Sequence, residues 1–176
     1  MSGTRVFRLW KMVILIMLLI VAFGCTQRYV PKQYPIRPDM VPEFRGSQTV
    51  TIINAQASSE EVLIGSQGMY KWMADLQKWT DTAVGLLKTE LEKRGIPVTA
   101  GAHKELRLAI TRANLFWGAA TIRCILYLNV ETGDGYTREF QGNNASGWTL
   151  YRACDGAVTR AVTAMLNDDK ILGYLK

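Results

Sequence analysis

Nucleophilic or metal-binding chemistry in this 176-residue chain would have to use the single histidine, His103, or the three cysteines, Cys25, Cys124 and Cys154. A nucleophile–histidine–acid triad has only His103 available, and no G-x-S-x-G nucleophile motif occurs in the sequence. One histidine and two well-separated cysteines lack the spacing of a zinc site, and there is no P-loop motif for phosphate. The sequence therefore predicts no catalytic residue, no metal site and no cofactor, and we expect a protein that is not an enzyme.

The first 24 residues have the pattern of a secretory signal peptide. Arg5, Arg8 and Lys11 form a positively charged start, Met12 to Phe23 is an uninterrupted apolar run, and the small residue Gly24 ends it. The apolar run is about a dozen residues long, whereas a membrane-spanning helix needs about 20. We therefore expect residues 1–24 to be a signal peptide, with an uncleaved anchor helix as the alternative.

A cysteine follows directly after this small residue, and the tetrapeptide Ala22-Phe23-Gly24-Cys25 resembles a bacterial lipobox. The first lipobox position is usually Leu and here is Ala22. The resemblance implies that Cys25 becomes the acylated N-terminus of a lipoprotein. Several acyl chains, each contributing about 0.8 kcal/mol per buried methylene, hold a protein stably on a membrane. Thr26, in place of an aspartate, favours the periplasmic side of the outer membrane.

The charge of the chain excludes a typical nucleic-acid-binding protein. Three of the 21 Lys and Arg residues and none of the 15 Asp and Glu residues lie in residues 1–24, leaving 18 basic against 15 acidic residues, a formal charge of +3. The remaining basic residues are dispersed, whereas nucleic-acid-binding domains carry a basic patch or stripe. No later apolar run approaches membrane-spanning length. The sequence indicates no particular oligomeric state.

The other two cysteines are predicted to face the core of a protein in a compartment that permits disulfides. Cys124 alternates with Ile122, Leu126 and Leu128 on one strand face, and Cys154 lies on the apolar stripe of a later helix. A disulfide would require their Cα atoms to lie within about 7 Å. Two buried free cysteines are the alternative, because cysteine often serves as a small apolar residue.

Residues 25–47, which contain four of the five prolines, are predicted to be a tether. Pro31, Pro35, Pro38 and Pro42 remove backbone donors and fix φ, which favours an extended segment. At about 3.1 Å per residue, such a segment would hold a domain several nanometres from the membrane. We expect a disordered spacer, with a partner-binding strap as the alternative, followed by one periplasmic domain over residues 48–176.

The first half of this domain contains a strand and a long helix. The β-branched run Thr49 to Ala55 predicts a central strand. Residues 61–73 predict a hairpin that turns near Gly68, although Met69 and Trp72 also have the spacing of an earlier helix start. The firm helix is capped by Asp75 and ends at Gly95, ahead of Pro97.

The second half predicts three strands and a second helix. Residues 106–113 and 119–131 alternate apolar and polar side chains. Thr132 to Gly135 supplies a hairpin turn, and residues 136–142 return. An alanine-rich helix then begins at Ser146 or Thr149 and ends near Leu166, before a last turn over Lys170 to Leu175. The fold class expected is α+β, a mixed or antiparallel sheet with two main helices packed on one face.

With these elements, the chain resembles the YajG-type lipoproteins and related small periplasmic α+β lipoproteins of the bacterial outer membrane. The resemblance rests on the lipobox, the proline-rich segment and four runs: Val50-Thr51-Ile52-Ile53, residues 87–95 (LKTELEKRG), Glu131-Thr132-Gly133, and the alanine-rich helix from Ala157 that leads into Leu166-Asn167-Asp168-Asp169. It implies a protein associated with the outer membrane. The family has no established catalytic residues to transfer to this chain.

Aromatic residues are the remaining candidates for a binding surface. Trp79 is expected in the core, whereas Trp72, Phe116, Trp117 and Trp148 fall near turns or element ends, where amphipathic rings serve either packing or an interface. We expect a lipid-anchored envelope lipoprotein that binds or scaffolds an envelope protein partner. The alternative is a periplasmic carrier or sensor that holds an apolar or glycan ligand in an aromatic-lined groove.

Overall fold

A computed structural model describes residues 25–46, 48–147 and 149–176 of the chain, so the signal peptide and the lipobox residues before Cys25 lie outside the described residues. The described elements are β1 (Thr26–Arg28), a 3-10 turn (Pro38–Met40), β2 (Val50–Asn54), β3 (Glu61–Gln67), β4 (Tyr70–Asp75), α1 (Leu76–Lys93), β5 (Lys104–Trp117), β6 (Ile122–Thr132), β7 (Thr137–Ser146), α2 (Leu150–Met165) and α3 (Asp169–Leu175). The predicted α+β class is confirmed.

The larger of two sheets has four strands in the order β2-β5-β6-β7. β5, β6 and β7 are antiparallel neighbours, with Leu108 opposite Val130 and Leu128 opposite Phe140, while β2 runs parallel to β5. Alternate residues of β5 and β6 are fully buried, because one face of the sheet carries the core.

Helices α1 and α2 pack against this sheet and against each other. The apolar stripe of α1 includes Trp79 and Leu87, both completely buried, and that of α2 is rich in alanine, which lets the helix lie close to β6 and β7. Asp75 caps α1 by accepting hydrogen bonds from Gln77 N and Lys78 N. Gly95 has a φ of 75° immediately after the helix, as the sequence predicted.

The second sheet has three strands in the order β1-β4-β3. β3 and β4 form an antiparallel hairpin that turns at Gly68 and Met69, which confirms the predicted hairpin and rules out the earlier helix start. β1 runs parallel to β4, so a strand of residues 26–28 completes this sheet. The expectation of one sheet is thus refined to two.

One strand position was wrong: β2 is an edge strand of its sheet and not a central strand. Its apolar run is explained by residues 97–99, which cover its beginning. Val50 N donates to Pro97 O and Thr99 N donates to Val50 O, both at 3.0 Å, and Val50 is completely buried. Strand order depends on contacts across the chain, which β-branched composition alone does not report.

The expectation of a disordered spacer over residues 25–47 was also wrong for the residues described. Residues 25–46 lie on the domain, and Ile36, Val41 and Phe44 are buried in its core. Proline prevents a helix here but leaves the segment free to pack through the side chains between the prolines. Among the described residues, no helix is both long enough and apolar enough to cross a bilayer.

Candidate functional site

Cys25 lies at the end of the three-stranded sheet, beside the turn of the β3–β4 hairpin. Its carbonyl oxygen accepts a 3.0 Å hydrogen bond from Lys71 N, and the next residue, Thr26, is paired with Lys71. Because β1 and β4 are parallel, the chain enters the domain at the level of Tyr70 and runs away from the hairpin turn. The cysteine itself is exposed and free. A group attached to its thiol would therefore project next to the hairpin turn.

From Cys25 the chain continues as a segment that we call the strap, residues 25–46. Asp155 of α2 is the main anchor of its first part. This carboxylate is only 3% exposed, and its Oδ1 accepts hydrogen bonds from Tyr29 Oη at 2.6 Å and from Lys32 N at 2.8 Å. Burial and this hydrogen bond to Asp155 raise the pKa of the Tyr29 phenol, so the proton stays on Tyr29.

Helix α1 holds the other side of the same turn of the strap. Trp79 Nε1 donates to Tyr29 O at 2.8 Å, and Thr82 Oγ1 donates to Pro31 O at 3.0 Å. Gly85 leaves room for the strap, because a Cβ there would come within 2.2 Å of Gln33 Nε2. The strap therefore crosses both long helices and satisfies its backbone carbonyls on their side chains.

The second part of the strap packs at the end of α1. Arg94 lies over the ring of Phe44, with its guanidinium carbon 5.3 Å from the ring centre. Glu90 holds Arg94 and Lys93 through ion pairs of 2.7 Å each. Burial alone would raise the pKa of Glu90, but its hydrogen bonds to Lys93 and Arg94 outweigh burial and lower the pKa. Asn167 Nδ2 also donates to Met40 O at 2.9 Å.

The two core cysteines, Cys124 on β6 and Cys154 on α2, lie next to each other as buried free thiols. The hydrogen bond between the two sulfur groups, together with burial, raises the pKa of Cys154. The Cys154 thiol is therefore protonated and a weak nucleophile. The side chains therefore serve as packing groups in the structure, and the predicted disulfide stays a prediction for the oxidised protein.

The residues predicted to form an aromatic binding surface do not all lie on one face of the sheet. Phe116 is 52% exposed and Trp117 is half-buried, because adjacent residues of β5 point to opposite faces of the sheet. The indole of Trp117 lies against Gly65 of β3, where an added Cβ would be 2.7 Å from the ring. Trp72 is half-buried on the neighbouring strand, and Trp148 lies outside the described residues. Trp79 is buried, as predicted.

The face of the four-stranded sheet that carries no helix presents polar residues and one arginine stacked on a tyrosine ring. The guanidinium carbon of Arg112 lies 4.0 Å from the ring centre of Tyr127, a cation–π contact. Thr111 Oγ1 donates to Glu139 on the same face at 3.1 Å. Within the part of the chain that the structure describes, no three His, Cys, Asp or Glu side chains are grouped as a metal site would require.

An open groove of about 590 Å³ runs between the strap and α2. Its lining is basic and partly aromatic and includes Tyr34, Arg37, Arg152 and Arg160. Sequence reasoning missed this groove because it depends on the docked strap. The available signal was the apolar and aromatic residues beside and between the prolines, since a solvated spacer needs none of them: Tyr29, Ile36, Val41 and Phe44.

Comparison with known proteins adds one similar fold. A crystal structure of a Xanthomonas campestris protein of the family DUF330 resembles this chain at 16% sequence identity, with a TM-score of 0.49, over 85% of this chain and 94% of that protein. A similarity of this size carries no argument about function. No protein-family model and no curated protein sequence matches this chain.

Proposed function

We propose that this chain is a lipid-anchored lipoprotein of the bacterial envelope, attached through Cys25 to the periplasmic side of the outer membrane. The observation that carries the proposal is the exposed Cys25 at the beginning of β1, directly after an apolar run with a small residue at its end. The resemblance to YajG-type lipoproteins supports the same assignment. Thr26 supports the outer membrane over the inner membrane.

Because the strap is docked, the distance between the lipid anchor and the domain is short. Cys25 is hydrogen-bonded to Lys71 through its own carbonyl, so no free spacer separates the cysteine from the domain. With Cys25 acylated, the domain lies directly at the membrane surface and not several nanometres from it. The hairpin turn beside Cys25 is then the part of the domain nearest to the lipid.

We further propose that the role of the domain is binding or scaffolding, without catalysis, and that the partner is another envelope protein. The helix-free face of the four-stranded sheet supports this role, because the Arg112–Tyr127 pair offers an aromatic and a cationic group on an open, polar surface. Arginine and tyrosine are enriched in protein interfaces. A carrier with an aromatic-lined groove has less support, because Phe116 and Trp117 lie on opposite sides of β5.

The anchor is tested by Cys25→Ser, with Thr26→Ser as a matched control next to it. Wild type and the control should partition with the membrane fraction and show the mass of an acylated, shortened chain. The Cys25→Ser protein should keep its full-length mass without acyl chains. Normal processing and a normal lipid mass in Cys25→Ser would overturn the anchor.

The binding role is tested by placing a photo-crosslinking phenylalanine analogue at Tyr127 in intact cells. Thr89, an exposed residue on α1, is the control site. A discrete crosslinked product at residue 127 and none at residue 89 supports a partner on the open sheet face. The same products at both sites, or none at residue 127, would contradict a partner on this face.

A further inference from the structure

Three segments without charged residues meet at one end of the domain. They are residues 25–27, residues 65–70 and residues 116–122, and we call this end the apex. The first segment is joined to Lys71, the residue that follows the second segment, by the hydrogen bond from Lys71 N to Cys25 O, and the last two are joined by the contact of Trp117 with Gly65. Segments far apart in the sequence thus form one uncharged surface.

The apex exposes large apolar side chains at its tip. Met69 is 54% exposed, Tyr70 is 50% exposed and Phe116 is 52% exposed. Behind them, Trp72 and Trp117 are half-buried and pack against the core. Tyrosine and tryptophan combine an apolar ring with a polar group, and both are enriched where proteins meet the interface of a membrane.

A basic residue follows each of the three segments: Arg28, which is ion-paired with Glu61, after the first, Lys71 after the second and Arg123 after the third. An apolar tip bordered by basic side chains suits a lipid surface, because the apolar groups enter the interface while the cations stay near anionic headgroups. A surface that binds a protein would not require an uncharged stretch followed by a basic residue in all three segments. Cys25, the proposed lipid attachment point, belongs to the first segment.

We propose that the apex is a second membrane contact, which inserts Met69 and Tyr70 into the headgroup region of the leaflet that holds the acyl chains of Cys25. The inference rests on the lipoprotein function proposed above. The lipid anchor supplies the attachment, and the apex fixes the orientation of the domain. One end of the four-stranded sheet then lies at the lipid and its other end stands away from it, since the 14 residues of β5 extend about 40 Å from the apex.

The test uses acylated full-chain protein, expressed in bacteria and reconstituted into vesicles of phosphatidylethanolamine and phosphatidylglycerol. Met69→Cys places a polarity-sensitive fluorophore at the apex, and Ala100→Cys places it near the opposite end of β5 as a control. Cys124 and Cys154 are completely buried and therefore do not compete for the label. The expected result is a blue shift and strong quenching by spin-labelled lipids at residue 69 and neither at residue 100.

A second variant makes the result specific to the apex. Tyr70→Asp in the Met69→Cys protein adds a negative charge to the tip at an exposed position, and it should return the label to a water-like spectrum while the acyl mass is unchanged. Equal, water-like spectra at residues 69 and 100 would overturn the membrane contact and favour a protein on the apex. The mass of the N-terminal peptide reports acylation separately, and protein that does not bind the vesicles overturns the contact as well.

Discussion

The phenol of Tyr29 donates a 2.6 Å hydrogen bond to the carboxylate of Asp155, 126 residues later in the chain. Because the same carboxylate oxygen also accepts from Lys32 N, one buried side chain of α2 holds two points of the strap. This relationship turns a proline-rich N-terminal segment into part of the domain. A substitution at Asp155 therefore tests how the strap is attached.

Replacing Asp155 with alanine should release the first part of the strap. The Tyr29 hydroxyl and Lys32 N–H would lose their acceptor, which we expect to lower the free energy of unfolding by about 2–3 kcal/mol. Urea unfolding measures this loss, and trypsin should cleave faster after Arg28 and Lys32, which are followed by Tyr29 and Gln33. The control is Asp39→Ala, whose exposed ion pair with Arg37 should contribute at most about 1 kcal/mol. Unchanged cleavage in Asp155→Ala would show that the strap is held elsewhere.

The contact between β7 and α2 should not tolerate a side chain at Gly142. A Cβ there would lie 2.0 Å from the carbonyl oxygen of Ala157, which is backbone and cannot rotate away. We expect Gly142→Ala to cost about 2–3 kcal/mol or more, since the strand and the helix must separate. Gly173→Ala in α3 is the matched control. It has no atom within 4 Å of the new methyl group and should stabilise the helix by about 0.5–1 kcal/mol. Thermal unfolding distinguishes the two, and equal effects would contradict the close packing.

The ion pairs of Glu90 should make stability depend on pH. The pKa of Glu90 is lower in the folded chain than its ordinary value of 4.5, so the folded state favours the charged carboxylate. The resulting stability is present above pH 4.5 and is lost as the pH falls below it. Glu90→Gln should therefore destabilise the protein by about 1–2 kcal/mol at pH 7 and by less at pH 3. Urea unfolding at both pH values measures this difference.

Glu92→Gln is the control for that experiment, because Glu92 is exposed on the same helix and lies 3.9 Å from Lys88. We expect it to change stability by less than about 0.5 kcal/mol at either pH. A Glu90→Gln effect that does not fall at low pH would mean that packing, and not charge, is responsible.

Asp168 should be essential for the last helix, and Asp169 should not. Oδ1 of Asp168 accepts 3.0 Å hydrogen bonds from Lys170 N and Ile171 N, and its other oxygen binds Arg138. Asp168→Ala removes the cap and the ion pair, which we expect to cost about 2 kcal/mol. Asp169→Ala is the matched control, because it removes the neighbouring carboxylate, which is exposed. Its expected cost is below about 1 kcal/mol. Thermal unfolding followed by circular dichroism compares the two, and similar losses would rule out the capping role.

Features determined by local sequence were predictable. Asp75 and Gly95 bound α1 where the sequence placed its start and end, because capping involves only the adjacent turn. The alternation of apolar and polar residues along β5 and β6 identified the buried face of the sheet, because this pattern is also local. Strand order was not accessible in this way, and β2 was misplaced because residues 97–99 supply the burial that its composition requires.

The candidate site was predictable only in part. Cys25 could be named from the residues before it, but its position beside Lys71 depends on a parallel pairing across more than 40 residues. The docking of the strap depends on Asp155, Trp79 and Thr82, none of which differs in sequence pattern from an ordinary helix residue. The four prolines dominated the interpretation of that segment, although the apolar residues between them indicated packing.

The distance in sequence between Tyr29 and Asp155 also sets an order of events. The strap leaves the ribosome well before α2, which holds it and is made about 120 residues later. Closing so long a loop is slow compared with forming a local hairpin. We expect the N-terminal residues to remain an open, undocked chain while the export and acylation machinery acts on them. Because α2 forms late, the modifying enzymes would have access to Cys25 before the adjoining backbone docks on the folded domain.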